Sequence, residues 1–521
     1  MVEKKNSLNI SKAEEFLAVA HEFKLGKLPT ESPHPLTSNL SQDSKLNVLN
    51  AINSIKQVDA NVFLVLKSKL KELRILYQKI QLTITHGGNV YLCGCGATGR
   101  LSLTLETIWR GLHKNHPQLV NRVVSFMAGG DVALIHSVEK FEDFPEFGER
   151  QLRELGFKEG DLLISTTEGG ETPFVIGATI AASKISKNSP YFLYCNPDDV
   201  LKTSAHRSKI VIEDPSIHKL NLTVGPMALT GSTRMEATTV LMYGVGLGLW
   251  FFDQSFERAE QELERLTQFF EETDFSFLKP FIERESEIYK RGEYLLYESD
   301  EILGISILTD TTERSPTFSL YPFENQADQV KHPSLSYLFL KNSNNNEDAW
   351  QKLLGRSPRA FHWKEVTALT SLERLMGFEI SSNFPQMRAK YLNSIHHHFQ
   401  ISFDEKVKKI IFSLDELHHE VDVSKLTLLS THLMLKLFLN NLSTVIMGRM
   451  GRYEDNLMTW VRASNNKLID RAVRYAEKLL LKKGVSVSYE DLVRTCFDLK
   501  EITPRDQALV LKIVEKMSAV K

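Results

Sequence analysis

The spacing of apolar residues changes along the chain, and each change marks an element. Over 48–82 apolar positions recur at helical spacing (Ile52, Ile55, Val62, Val65, Leu66, Leu70, Leu73, Leu76), which predicts one or two amphipathic helices. Short apolar runs bounded by turn residues follow at 90–93, 123–127, 162–165, 191–194 and 210–212. They read as strands, and the stretches at 149–155 and 173–184 between them read as helices. Strands alternating with helices predict a parallel sheet between helical layers. A mostly apolar helix over 236–252 closes this series, and a charged helix over 257–271 leads onward. A second series is predicted from about 301, with ILGISIL, SYLFL (336–340), 365–367 and 409–413 as its apolar runs. The polar stretch 342–346 reads as a loop, and the apolar helix at 428–447 matches the place of 236–252. The pattern is a duplicated α/β unit with an all-helical tail from about 455 to 521. Ahead of it, LPTESPHPLTSNLS, with its three prolines, reads as a loop laid over a neighbouring surface,.

A chain of 521 residues is too long for one ordinary core, so two or three domains are expected,. Balanced charge, 63 Lys and Arg against 65 Asp and Glu, argues against a nucleic-acid or membrane-surface partner,. No apolar run is long enough to span a bilayer, and MVEKKNSLNISKAEEF lacks a signal core, so a cytoplasmic protein is expected,. Four cysteines occur, and Cys93 and Cys95 form a Cys-x-Cys with no second pair, so free thiols are expected rather than a zinc site,. His396, His397, His398, His418 and His419 are sequence neighbours that point to different sides, which is also poor metal geometry,. No metal and no cofactor are expected. Lys478, Lys482 and Lys483 read as a solvated helix face, and no nucleophile elbow appears,.

The chemistry gathers at 89–104, NVYLCGCGATGRLSLT, where an apolar run breaks into a glycine-rich turn before a helical segment. Strand, glycine turn and helix aim backbone N–H groups and a helix N-terminus at an anion. GCGATG lacks the Gly-Lys-Thr/Ser ending of a P-loop, and its last glycine falls one position early for a dinucleotide fingerprint,. A phosphate carried by something other than a nucleotide fits better.

GCGATGRLS (94–102), FMAGGDVALIHSVEKFED (126–143) and VGPMALTGSTRMEA (224–237) together resemble the sugar isomerase (SIS) domains of one family. It contains bacterial N-acetylmuramic acid 6-phosphate etherases and animal glucokinase regulatory proteins. ETPFVIGATIAA (171–182) and the proline-rich arm resemble further family segments. The resemblance implies two SIS domains in one chain, each a flavodoxin-like parallel sheet between helices, with a C-terminal helical lid. The implied boundaries are an arm over 1–50, SIS domains over 51–255 and 299–450, a helical linker over 256–298, and the helical region over 451–521. Such a chain is an internal pseudo-dimer and needs no second copy.

The etherase reaction removes a lactyl ether from C3 of a sugar whose C1 opens to an aldehyde, so one group takes the C2 proton and another protonates the departing oxygen. Two carboxyl groups in different environments suit that division. The resemblance puts Glu142 on one family glutamate, while Ile108 stands where the first domain should carry the other. ILTDTTERSPTF (307–318) restores it as Glu313. Sugar-phosphate ligands carried over are Gly96, Thr98, Gly99, Thr167, Gly169, Ser232 and Arg234, with Lys436 as the lysine that the regulatory proteins extend to the phosphate. Gly169, Glu171 and Glu236 depart from the family pattern; Arg234 or Arg100 are the expected partners for the two acids. Three functions stay open: the etherase, a sugar-phosphate sensor that regulates a sugar kinase, and a phosphosugar isomerase.

Overall fold

The computed structural model describes residues 2–23, 25–138 and 141–519. The 126–143 motif therefore has two positions, 139 and 140, outside the described residues.

The first sheet consists of β1 (Val90–Gly94), β2 (Val123–Met127), β3 (Leu162–Thr166), β4 (Tyr191–Tyr194) and β5 (His218–Asn221). They are parallel throughout, in the order β2-β1-β3-β4-β5. That is the flavodoxin-like order, in which ligands settle beyond the carboxyl ends of the strands at the switch point. β1, β3 and β4 are buried at every position, so they read as continuous apolar runs,. The fifth run does not. Residues 210–212 lie in the helix His206–Glu213, which buries Val211 and Ile212 and leaves Ile210 50% exposed. The strand predicted there is instead β5, HKLN, whose single buried residue gives an edge strand no apolar signature.

The second sheet contains β6 (Tyr294–Ser299), β7 (Ser336–Leu340), β8 (His396–Asp404), β9 (Lys409–Leu414) and β10 (Leu417–Asp422), in the order β10-β9-β8-β6-β7. β7-β6-β8 is parallel and repeats β2-β1-β3, whereas β8-β9-β10 is an antiparallel meander. The second half is thus a mixed sheet, not the wholly parallel one expected. ILGISIL is not its first strand; Ile302 and Leu303 precede, and its other residues open, the helix Gly304–Phe318, buried nearly all round,. The strand is YLLYES, which ends the segment expected as a helical linker. Residues 365–367 lead into the short helix Thr367–Thr370 and join no strand.

The halves meet through the nearly fully buried helices Glu236–Trp250 and Leu428–Arg449, which pack together and join the hydroxyls of Tyr243 and Ser430 at 2.9 Å. The helix Gly304–Phe318 packs on Leu428–Arg449 and also reaches across to Ala97–Leu112 of the first half. The helices Asn466–Lys482, Tyr489–Lys500 and Leu509–Ala519 form the tail. Among the described residues no helix is long and apolar enough to cross a membrane.

A second clamp is ionic. Arg356 donates to Asp131 at 2.7 Å and to Glu106 at 3.2 Å, and Arg359 reaches Glu106 at 2.8 Å. Burial alone would raise the Glu106 carboxyl, but Arg356, Arg359 and Arg110 hold it far below the ordinary range. Removing one member of such a cluster leaves buried charge behind. Arg356→Ala should therefore cost about 3 kcal/mol in chemical denaturation; a midpoint equal to wild type would show that the clamp adds nothing.

Candidate functional site

The glycine turn is dictated by space. A Cβ on Gly94 would come 2.4 Å from the Thr98 backbone, and Gly96 has φ +53°,. Gly99 works differently: a Cβ there would meet Met127 at 2.5 Å, so it seats the helix Ala97–Leu112 against β2 and does not face the cleft. The Thr98 hydroxyl accepts from the Cys95 N–H at 3.0 Å and donates to the Cys95 carbonyl at 2.9 Å, closing the turn on itself.

Beyond this turn lies a cleft of about 190 Å³. The first half supplies Gly96, Thr98, Glu142, Thr167 and Gly169, together with Ser232 and Arg234 from the Thr-Gly-Ser-Thr-Arg segment. The second half supplies Glu313 and Thr317 from the helix Gly304–Phe318. The tail supplies Val461, Lys467 and Arg471. Three chain regions therefore enclose one space.

Most charges around the cleft are paired. Arg100 forms a buried ion pair with Glu313 across the two halves. Arg234 donates to Asp310 at 2.9 Å, to Ser443 at 2.9 Å and to Thr444 at 2.6 Å. Some polar atoms lack a partner: Arg100 Nη2, Arg234 Nε, Ser232 Oγ and Glu168 Oε1 are buried without one. Buried polar atoms are seldom left so, and all four residues line this cleft.

Lys436 lines an adjoining cavity of about 40 Å³ that shares Arg100, Arg234 and Glu313 with the cleft. Its ammonium donates to the carbonyls of Arg234 at 3.0 Å and Met235 at 3.3 Å, and to Thr239 at 2.7 Å. Burial lowers it to about 8, although Asp59 and Glu236 lie close. One expectation is corrected here: Arg100 and Arg234 do not neutralise the two departing acids, since they pair with Glu313 and Asp310. Glu171 pairs with Lys467 at 3.1 Å and with Arg207, and Glu236 accepts from the Ala228 N–H at 3.1 Å. Burial raises the carboxyls of Asp59 and Glu236, and the neighbouring Glu236 raises that of Asp59 further.

Lys467 and Arg471 are cleft residues that sequence reasoning missed. With Arg474 they fall at helical i, i+4, i+7 spacing on Asn466–Lys482, and that basic stripe was the available signal,. Arg471 and Arg474 both hold the buried Glu31 of the N-terminal arm, at 2.5 and 3.2 Å. Gly231 N–H donates to the Thr30 carbonyl at 3.0 Å. The arm thereby bridges the tail and the Thr-Gly-Ser-Thr-Arg segment.

The corresponding turn of the second half is closed. Between β6 and Gly304–Phe318, Asp300 accepts N–H groups from Ile302 at 2.9 Å and Leu303 at 2.8 Å, and from Phe403 at 2.5 Å. A side-chain carboxylate thus occupies the helix start where an external anion would sit.

Residues 74–183 match the family model of the glucokinase regulatory protein N-terminal SIS domain. The N-acetylmuramic acid 6-phosphate etherase of Aliivibrio fischeri (strain MJ11) is 31% identical over 217 residues, 41% of this chain and 66% of that protein. That of Photorhabdus laumondii is 29% identical over 218 residues, 42% of this chain and 66% of that protein. The chain is similar to members of this etherase and regulatory-protein family over its first half. The matched stretch spans just under two thirds of these etherases' length. Among solved structures, the tagatose-6-phosphate ketose/aldose isomerase from Escherichia coli is 9% identical with a TM-score of 0.41, covering 81% of this chain and 97% of that one. Glu313, Lys467 and Arg471 all lie outside the span of the family model.

Glu171 makes the lid testable through pH. Burial alone would raise its carboxyl, but Lys467 and then Arg207 overcome that and hold it at about 2, against an ordinary 4.5. A depressed carboxylate contributes stability that is complete above its ordinary value and is lost as pH falls through the folded one. Glu171→Gln should remove about 3 kcal/mol at neutral pH and flatten the acid limb of the stability curve. Parallel acid limbs for wild type and variant would contradict the pairing.

Proposed function

We propose that the cleft binds a sugar 6-phosphate and that the chain is a carbon–oxygen lyase of the etherase type, cleaving N-acetylmuramic acid 6-phosphate to N-acetylglucosamine 6-phosphate and lactate. One observation carries this: Glu142 and Glu313, drawn from opposite halves, line the same cleft as the glycine turn. In this reading the phosphate sits at the turn and the 167–169 loop, where backbone N–H groups and the helix start favour an anion. Lys467 and Arg471 supply positive charge from the tail side.

With the sugar open at C1, the aldehyde acidifies the C2 proton. One glutamate takes that proton, and the other protonates the ether oxygen at C3 as the C3–O bond breaks and lactate leaves. Water then adds at C3 of the unsaturated aldehyde, returning the C2 proton and restoring a saturated sugar. The two carboxyl groups divide the acid and base roles between them. In this reading the reaction is cytoplasmic.

The family-model match to a regulatory protein favours a second reading, in which the same cleft senses a sugar phosphate such as fructose 6-phosphate and the chain controls a sugar kinase. The two readings part on turnover. Wild type should release lactate from N-acetylmuramic acid 6-phosphate, and Glu142→Gln and Glu313→Gln should each lower kcat by about 100-fold or more. If wild type releases none while sugar 6-phosphates raise its melting temperature, the sensor reading replaces the lyase.

A further inference from the structure

Glu142 is held at both of its oxygens. Oε2 accepts from the Cys95 thiol at 3.0 Å, and Oε1 accepts from Asn465 Nδ2 at 3.3 Å. The two donors come from opposite walls of the site. Cys95 is the one side chain between Gly94 and Gly96 in the turn, and Asn465 stands at the start of the tail helix Asn466–Lys482. We propose that Cys95 and Asn465 are positioning residues for Glu142, and that the tail helix, besides covering the cleft, fixes the geometry of its carboxylate. The proposal rests on Glu142 being a working carboxylate of the cleft, as in the reading above.

The chemistry of each donor supports this. Burial first, and the neighbouring Glu142 second, push the Cys95 thiol well above its ordinary value, so the sulfur keeps its proton and donates it. Asn465 has no freedom to turn its amide. Its Oδ1 accepts from the Leu468 N–H at 2.9 Å and caps the helix, which leaves the NH₂ end facing Glu142,. The capped helix is also the one that carries Lys467 and Arg471 into the cleft. One amide therefore sets the start of the cationic wall and the direction of the opposing carboxylate together.

Glu142 has little else to orient it. It lies half-buried in the three-residue turn Phe141–Asp143, and a glutamate side chain there has three torsions to fix,. With one donor on each oxygen, the remaining lone pairs are left for the sugar.

The test separates positioning from folding. Asn465→Asp keeps an oxygen to cap the helix but loses the donor and sets a second carboxylate against Glu142. Cys95→Ala loses the thiol donor, and Cys95→Ser keeps a donor. With N-acetylmuramic acid 6-phosphate as substrate, Asn465→Asp and Cys95→Ala should each lower kcat for lactate release by about tenfold, with KM and melting temperature little changed. Cys95→Ser should recover most of the loss. Wild-type kcat in both variants, where Glu142→Gln has collapsed, would overturn the proposal, as would a Cys95→Ser as impaired as Cys95→Ala. If wild type shows no turnover, the lyase reading fails by itself. The same variants are then read by calorimetric affinity for the sugar phosphate. Weakening in Asn465→Asp and Cys95→Ala that parallels Glu142→Gln supports the positioning role, and unchanged affinity in both overturns it. A chain that neither turns over nor binds the sugar phosphate overturns both readings.

Discussion

Two arginines of the first half are neutralised by one helix of the second. Arg100 pairs with Glu313 and Arg234 with Asp310, and all four side chains are almost wholly buried. Charges placed this deep are tolerated only when paired, and separating either pair would strand both partners. The halves are therefore locked at one register, with Glu313 facing the glycine turn because Arg100, in the first turn of the helix Ala97–Leu112 that follows the turn, holds it there. Ser443 and Thr444 add hydroxyls to Arg234 from the helix Leu428–Arg449, so the lock extends into the central helix pair.

That lock makes the duplicated plan asymmetric. Both halves carry a strand, a turn and a helix in equivalent topological places. In the first, glycines leave the helix start open to the cleft; in the second, Asp300 satisfies the same kind of helix start from within. Burial raises the Asp300 carboxyl, while its three N–H donors work against that. In the proposed reading the second half has no anion site of its own and lends Glu313 to the cleft of the first. The N-terminal arm and the tail complete the enclosure, with Glu31 between Arg471 and Arg474 fastening one to the other.

What the sequence made legible follows from how local each constraint is. The glycine turn could be read because steric demand falls on single residues, and the interior strands because full burial leaves an unbroken apolar run. Residues 210–212 and ILGISIL were misassigned since a short apolar run fits a buried helix as well as a strand. HKLN escaped because an edge strand needs few apolar residues. Matched motifs brought Glu142 and Glu313 into view. Nothing in the spacing of a lysine on an apolar helix shows which cavity Lys436 enters, and its ammonium turns to the carbonyls of Arg234 and Met235. Lys467 and Arg471 showed in the sequence only as part of a basic stripe, since their partners, Glu171 and Glu31, lie hundreds of residues away in the chain.

The central claim is that one composite cleft, built from both halves and the tail, receives the sugar phosphate. A crystal structure of Glu142→Gln with N-acetylmuramic acid 6-phosphate tests it most directly. The account predicts a single ligand per chain, its phosphate against the turn from Gly96 to Thr98 and its sugar ring between position 142 and Glu313, with Lys467 in reach. A phosphate seated at the Asp300 turn, or a ring out of reach of either carboxylate position, would contradict it.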